Sequence, residues 1–109
     1  MEKRYRLGKY EVSGLGKLYV SGGDALKREE IGLTNPEYAV FARLAWFGLA
    51  KRELEKRWSI TEQGIRFVEG RVRVQSVAVT VDREFTGLEG ELVAAGDVNQ
   101  EFHYETVGV

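Results

Sequence analysis

The chain has no cysteine, one proline and one histidine among its 109 residues. Without cysteine it can form no disulfide, no thiolate zinc site and no cysteine nucleophile. Because His103 is the only histidine, multi-histidine metal sites and His–Cys catalytic pairs are excluded too. A carboxylate pair brought together by folding is the catalytic arrangement that the sequence leaves open. We expect a protein that is not an enzyme and that has no cofactor and no metal.

Long apolar runs are also missing. No stretch approaches the ~20 apolar residues that a membrane helix needs, and the charged first ten residues lack the apolar segment of a signal peptide. The apolar share is nevertheless 43%, which is enough for a packed core. We therefore expect a single domain over residues 1–109, located in the cytoplasm and without membrane contact.

The net charge of −1 conceals an uneven distribution. Residues 1–81 contain fifteen Lys and Arg against ten acidic residues, whereas residues 82–109 contain one Arg against seven. Such asymmetry is typical of a nucleic-acid-binding body with an acidic appendage, and a solvated mosaic of mixed charges explains it equally well. One hypothesis is that the acidic segment Gly96–Val109 folds back onto the basic surface.

The strongest local pattern predicts a helix over Pro36–Phe47. Thr34-Asn35-Pro36 supplies an N-cap and a proline in the first turn, where its missing N–H costs nothing. Apolar residues then recur at helical spacing, and Gly48 ends the helix. The members of this apolar stripe are Val40, Phe41, Leu44 and Phe47.

A charged hairpin over Leu49–Ile60 and a short helix capped by Thr61 follow. On the return strand Trp58 and Ile60 alternate with polar residues, so one face packs and the other faces water. We expect Gly64 to permit a close approach between the last helix and the hairpin.

Further elements are predicted on both sides of this centre. Before it, Tyr10–Val12 and Leu18–Val20 are expected to form short strands around a Gly-Leu-Gly turn, and Ala25–Ile31 a short helix.

After Gly70 valines recur with period two, and a slip between Val74 and Val77 indicates a bulge. We expect a turn over Asp82–Gly87, with Leu88–Ala95 pairing back.

The central run resembles a known family. A helix ending Leu44-Ala-Trp-Phe-Gly-Leu49 is followed by Arg57-Trp-Ser-Ile-Thr61 and Glu62-Gln-Gly-Ile-Arg-Phe67. This run is similar to winged-helix regulators of the MarR and PadR families, and more similar to small uncharacterised bacterial and phage winged-helix proteins. Several members of that group carry a cysteine zinc element that this chain lacks. The long dimerisation helices of the regulators have no counterpart here either.

The resemblance implies an α+β fold with a winged helix-turn-helix core at about 24–70. It also implies additional N- and C-terminal β-strands, with a C-terminal β-segment and acidic tail over 71–109. The implied function is that of a small transcription regulator that binds double-stranded DNA through the helix 35–47 and the basic wing 51–57.

In such a complex the second helix of the helix-turn-helix lies in the major groove. There Asn35 and Arg43 would contact bases or phosphates, although Glu37 and two alanines on the same face would read bases poorly. The wing would follow the phosphate backbone. Its candidate residues are Lys51, Arg52, Lys56 and Arg57.

The alternative function is protein–protein interaction on the same frame. Its contact surface would combine Trp46 with Val77 and Val79 of the valine strand. The partner would then be another protein, or a second copy in a homodimer. The small net charge and the few base-reading side chains of the predicted recognition helix favour this alternative, whereas the basic wing favours DNA binding.

Overall fold

The computed structural model describes residues 1–100. They form an α+β fold with short helices and antiparallel sheets, in agreement with the predicted class. Most of the predicted acidic tail, including His103, lies outside the described residues. Within the described part, no helix has the length and apolar character required to cross a bilayer.

The elements alternate between short strands and short helices. Residues Phe41–Ala45 form a 3₁₀ turn that continues α3, and a second 3₁₀ turn, Leu54–Lys56, lies between β3 and β4. In chain order the elements are β1 (Glu2–Arg6), α1 (Lys9–Tyr19), β2 (Leu26–Lys27), α2 (Arg28–Ile31), α3 (Asn35–Val40), β3 (Ala50–Arg52), β4 (Arg57–Ile60), α4 (Glu62–Val68), β5 (Val74–Val81), β6 (Glu84–Val93) and α5 (Ala95–Val98).

The central sheet has the strand order β2-β4-β3 and is antiparallel throughout. The β3–β4 hairpin lies within the predicted range Leu49–Ile60. Its partner β2 contributes one short pairing, Leu26 opposite Trp58 and Lys27 opposite Arg57. This pairing brings the start of α2 beside the hairpin.

The predicted apolar stripe lies in the core. Phe41 and Leu44 have no exposed surface, and Phe47 is 1% exposed. Val40 is only partly buried. The Phe41 ring meets Trp58 edge-on at 5.4 Å between centroids, which ties the helical layer to the central sheet.

Gly64 has the predicted role of allowing close approach. A Cβ at this position would lie 2.0 Å from the Leu49 carbonyl oxygen and 2.8 Å from Ile60 Cγ1. Thr61 caps α4 as predicted, because its hydroxyl accepts a hydrogen bond from Gly64 N–H at 2.9 Å.

The terminal sheet has the strand order β1-β5-β6. The predicted bulge is present, since the register shifts between Gln75 and Val77. One face contributes Leu7, Val74 and Ala78 to the same core cluster as the central sheet. β5 and β6 are therefore the additional C-terminal strands that were predicted, whereas β1 is an N-terminal strand outside the two ranges predicted for such strands.

The prediction for the N-terminal segment was wrong in detail. Tyr10–Val12 and Leu18–Val20 are not strands but parts of α1. Their glycines do not form a turn: Gly14 faces the core, where a Cβ would lie 3.2 Å from Phe41 Cδ1. Glycine here allows two helical segments to pack closely, and the N-terminal strand is β1 instead.

Three other boundaries differ from prediction. The predicted helix Ala25–Ile31 divides into β2 and α2. The helix predicted over Pro36–Phe47 begins at Asn35 and tightens into a 3₁₀ turn after Val40. The turn predicted at Asp82–Gly87 is shorter, because β6 already begins at Glu84.

Candidate nucleic-acid interface

The tip of the β3–β4 hairpin has an unusual backbone. Glu55 and Lys56 adopt left-handed conformations, with φ values of 61° and 59°. Such conformations are uncommon for residues other than glycine. Two in succession reverse the chain tightly and keep Lys56 next to the strand that begins at Arg57.

A groove of about 470 Å³ lies between this hairpin and the start of α2. We call it the hairpin groove. Four of its lining side chains are cationic, two are acidic and one is aromatic. They are Lys27, Arg28, Arg52 and Lys56, then Glu29 and Glu55, and Trp58.

The cations of the groove are not neutralised by ion pairs. Within residues 1–100, none of these four basic side chains forms a salt bridge. The Arg52 guanidinium lies over the Trp58 ring at 5.4 Å, and that of Arg28 lies over Tyr38 at 4.4 Å. Cation–π contact orients a guanidinium while leaving its N–H donors free for an anion.

The acids of the groove have partners. Glu55 lies 3.7 Å from Arg57. The carboxylate of Glu29 accepts a hydrogen bond from the Tyr38 hydroxyl at 3.0 Å. Its own backbone N–H and then the Tyr38 hydroxyl lower the pKa of Glu29, so it stays ionised. The charges of Arg28 and Lys27 lower this pKa further, so these two cations lie near an acid without forming a salt bridge. Within residues 1–100, the groove therefore combines two partnered carboxylates with four cations that form no salt bridge.

Two predicted DNA contacts of the wing are engaged within the protein. Lys51 lies 3.4 Å from Glu53, and Arg57 lies 3.3 Å from Glu30. The Ser59 hydroxyl and then Lys51 lower the pKa of Glu53, which keeps this carboxylate charged. Of the four predicted wing residues, the hairpin groove includes only Arg52 and Lys56.

Arg43 is less available than predicted. Its side chain is partly buried, and its guanidinium lies 4.7 Å over the Tyr5 ring of the terminal sheet. Asn35 is exposed in the first turn of α3, as predicted.

The placement of Glu37 on the outer face was wrong. Glu37 is 4% exposed, and its carboxylate accepts hydrogen bonds from Lys17 Nζ at 2.6 Å, from the Ser13 hydroxyl and from Thr34 N–H at 2.8 Å. Burial alone would raise the pKa of Glu37, but these donors together lower it. The carboxylate belongs to a capping box that fastens α3 to α1.

The sequence prediction missed Lys27 and Arg28. The predicted helix Ala25–Ile31 contains them without indicating a contact with the hairpin, and only the pairing of β2 with β4 brings them beside Arg52. The adjacent basic pair at a helix start was the available signal, because a helix N-terminus already favours anions.

The residues of the alternative interface do not come together. Trp46 contacts Tyr5, which pairs with Ala78 on the buried face of the terminal sheet. Val77 and Val79 alternate with Ala78 and so point to the opposite face. Val79 is only 8% exposed. The three residues cannot form one contact surface.

Among residues 1–100, no group of three or more His, Cys, Asp or Glu could hold a metal ion.

Compared with family models, curated proteins and solved structures, the chain gives no significant match to any of them. The interpretation of the groove therefore depends on its own geometry and charge.

Proposed function

We propose that the protein binds double-stranded DNA without enzymatic activity, and that the hairpin groove contacts the phosphate backbone. The observation that carries the proposal is the set of four cations in one concave groove, none of which forms a salt bridge within residues 1–100. Phosphates accept hydrogen bonds from such side chains, and the release of condensed counterions from DNA drives the association.

The order of elements supports a winged-helix arrangement for this binder. A helix, a short strand, two helices and a hairpin follow one another from α1 to β4, and the short strand pairs with the second strand of the hairpin. In winged helices the second helix of the helix-turn-helix approaches the major groove. On this arrangement the β3–β4 hairpin is the wing and α3 the recognition helix.

The exposed surface of α3 favours contacts with the backbone over base reading. Asn35 is the exposed residue there with a base-reading side chain; the others are Pro36 and three alanines of α3 and the 3₁₀ turn. Direct readout of bases relies on Arg, Lys, Asn and Gln in the major groove. We therefore propose binding with little sequence preference, in which Asn35 supplies at most one base contact.

The test is a titration of random-sequence duplex DNA at several salt concentrations, followed by fluorescence anisotropy. The double variant Arg52→Ala/Lys56→Ala removes two of the four groove cations. We expect weaker binding and a log–log salt slope lower by about 2, since each phosphate contact contributes about 0.9 to the slope.

The matched control is Lys9→Ala/Arg73→Ala, which removes one Lys and one Arg from exposed positions outside the groove that form no salt bridge within residues 1–100. It should change the slope by far less. Equal losses in both variants would show that total charge alone governs binding. If the unmodified protein does not bind duplex DNA at low salt, the proposal is wrong.

A further inference from the structure

A second cleft, also of about 470 Å³, lies where the terminal sheet meets the 3₁₀ turn after α3. We call it the aromatic cleft. Its wall includes the rings of Tyr5 and Trp46, whose centroids are 5.1 Å apart with planes inclined by 41°. Both residues are partly buried, so each fixed ring retains some exposed surface.

Cations flank these rings. Lys3 and Arg83 line the cleft and are exposed, and neither forms a salt bridge within residues 1–100. The Asp82 carboxylate in the same wall accepts a hydrogen bond from the Met1 amine. The cleft therefore presents a partnered acid and two cations without acidic partners.

The turn between β5 and β6 constrains the backbone of one of these cations. Asp82 and Arg83 are both left-handed, with φ values of 50° and 73°, and form a two-residue connection. Non-glycine residues carry a strain cost in this conformation. The tight turn leaves Arg83 little backbone freedom at the mouth of the cleft.

We infer that the aromatic cleft binds one unpaired nucleotide of a single-stranded nucleic acid. The base stacks on the indole of Trp46, and the phosphate lies between Lys3 and Arg83. Aromatic platforms beside cations are the usual means of holding unpaired bases, and the volume lies within the ~300–1,000 Å³ of small-ligand sites. The inference does not depend on duplex binding through the hairpin groove.

Charge distinguishes this occupant from an apolar peptide. If an apolar peptide occupied the cleft, neither the ammonium of Lys3 nor the guanidinium of Arg83 would have an anion beside it. A nucleotide supplies both a planar ring and an anion, and so matches the rings and the cations together.

The probe is a labelled ten-nucleotide oligothymidine, with the full chain, in an anisotropy titration at low and moderate salt. We expect Trp46→Ala to weaken binding roughly five- to hundredfold, in line with the loss of one stacked base. Trp46→Phe keeps an aromatic ring and should lose less. Circular dichroism must first confirm that each variant is folded, because Trp46 also packs against the core.

The double variant Lys3→Ala/Arg83→Ala changes exposed side chains and keeps the test valid if Trp46→Ala fails to fold. It should reduce the salt slope for the oligothymidine and change duplex affinity no more than the control variant does. Lys9→Ala/Arg73→Ala is again the control of equal charge. An unchanged affinity in folded Trp46→Ala, or an equal loss in the control, would overturn the inference.

The two proposals fail separately. If the protein binds oligothymidine but no duplex, the function proposed for the hairpin groove is wrong and the aromatic cleft stands. If it binds duplex and no oligothymidine at low salt, the aromatic cleft is not a nucleotide site. Should Arg52→Ala/Lys56→Ala weaken both probes equally, one surface binds both of them, and the inference of a separate site is wrong.

Discussion

The arginines of β1 in the terminal sheet are used differently from the cations of the hairpin groove beside the central sheet. In the terminal sheet, Arg4 binds Glu89 at 2.9 Å and Glu2 at 2.7 Å, and Arg6 lies 4.0 Å from Glu91. The hydrogen bond to Glu89 and then that to Glu2 raise the pKa of Arg4 above its ordinary value. Beside the central sheet, the four cations of the hairpin groove have no such partners.

This difference explains the uneven charge of the sequence. Two acids from the acidic part of the sequence lie beside the basic strand β1, because they belong to a strand of the same sheet. Glu89 and Glu91 of β6 pair with arginines of β1, with β5 between the two strands. A basic stretch in a sequence therefore indicates a binding surface only when no acid is folded next to it.

The largest expected effect compares a glycine of α4 that packs against the β3–β4 hairpin with a glycine of the terminal sheet. Gly64→Ala places a Cβ 2.0 Å from a backbone carbonyl oxygen, so α4 must move away from the hairpin. We expect a loss of about 3 kcal/mol or more in the free energy of unfolding, at or above the upper end of overpacking effects. Chemical denaturation measures it.

Gly90→Ala is the counterpart in the terminal sheet. Its Cβ would lie 2.7 Å from the Ser76 hydroxyl oxygen, a side-chain atom that can rotate away. The main cost is then the left-handed backbone, φ 87°, which amounts to about 1–2 kcal/mol. If Gly90→Ala destabilises as strongly as Gly64→Ala, the contact between α4 and the central sheet is not more tightly packed than the surroundings of Gly90 in the terminal sheet.

The sequence predicted the central part of the fold well because its signals there are local. The N-cap, the helical spacing of Phe41, Leu44 and Phe47, and the alternation at Trp58 each act within a few residues. The role of Gly64 could be predicted because this residue lies in the helix that directly follows the hairpin in the sequence. All of these features are present in the structure.

The N-terminal segment was predicted poorly because its glycines serve a distant contact. Gly14 lies in a helix to admit Phe41, a residue far along the chain, whereas a local interpretation of Gly-Leu-Gly is a turn. For the same reason, only two of the four cations of the hairpin groove were predicted. Arg52 and Lys56 follow from the hairpin itself, but Lys27 and Arg28 join it only through the pairing of β2 with β4.

An intermediate effect distinguishes two buried glutamates. Glu37, at the start of the helix that leads to the central sheet, has a lowered pKa. Its ionised form stabilises the fold above about pH 4.3, the ordinary glutamate pKa, and that contribution is lost as the pH falls through the lower folded value. We expect Glu37→Gln to reduce stability at neutral pH by about 1.5–3 kcal/mol, as for hydrogen bonds to charged groups.

Glu11, which follows β1 of the terminal sheet, is the opposite case. It is 3% exposed, and burial raises its pKa despite the hydrogen bond from Gly8 N–H at 3.2 Å. The folded state favours the protonated form of Glu11. Its contribution to the free energy of unfolding is therefore present at acid pH and is lost as the pH rises through the raised pKa. Glu11→Gln should therefore leave the neutral-pH Tm unchanged or raise it.

Melting curves of both variants between about pH 3 and about pH 8 test the pair. The Tm difference between Glu37→Gln and the unmodified protein should shrink toward acid pH. The difference for Glu11→Gln should instead be smallest at acid pH and favour the variant at neutral pH. The same pH trend in both variants would mean that the hydrogen bonds of Glu37 do not outweigh its burial.

The variant with the smallest expected effect on stability tests whether ion pairs prevent the basic residues of the terminal sheet from binding DNA. The double variant Glu89→Gln/Glu91→Gln keeps the side-chain size and removes the β6 carboxylates that face Arg4 and Arg6, while Arg4 keeps its ion pair with Glu2. Because these ion pairs are exposed, each contributes about 0–1 kcal/mol at most. We expect a small fall in Tm, but a gain of about severalfold in duplex affinity at low salt that disappears as salt screens it.

Glu84→Gln is the control, since Glu84 lies on the same strand and forms no ion pair within residues 1–100. It removes one negative charge without freeing an arginine. If affinity rises equally per charge removed in both variants, long-range charge explains the gain and the pairing does not. A larger gain for Glu89→Gln/Glu91→Gln would mean that the terminal sheet holds a second basic surface, which its own acidic strand keeps neutral.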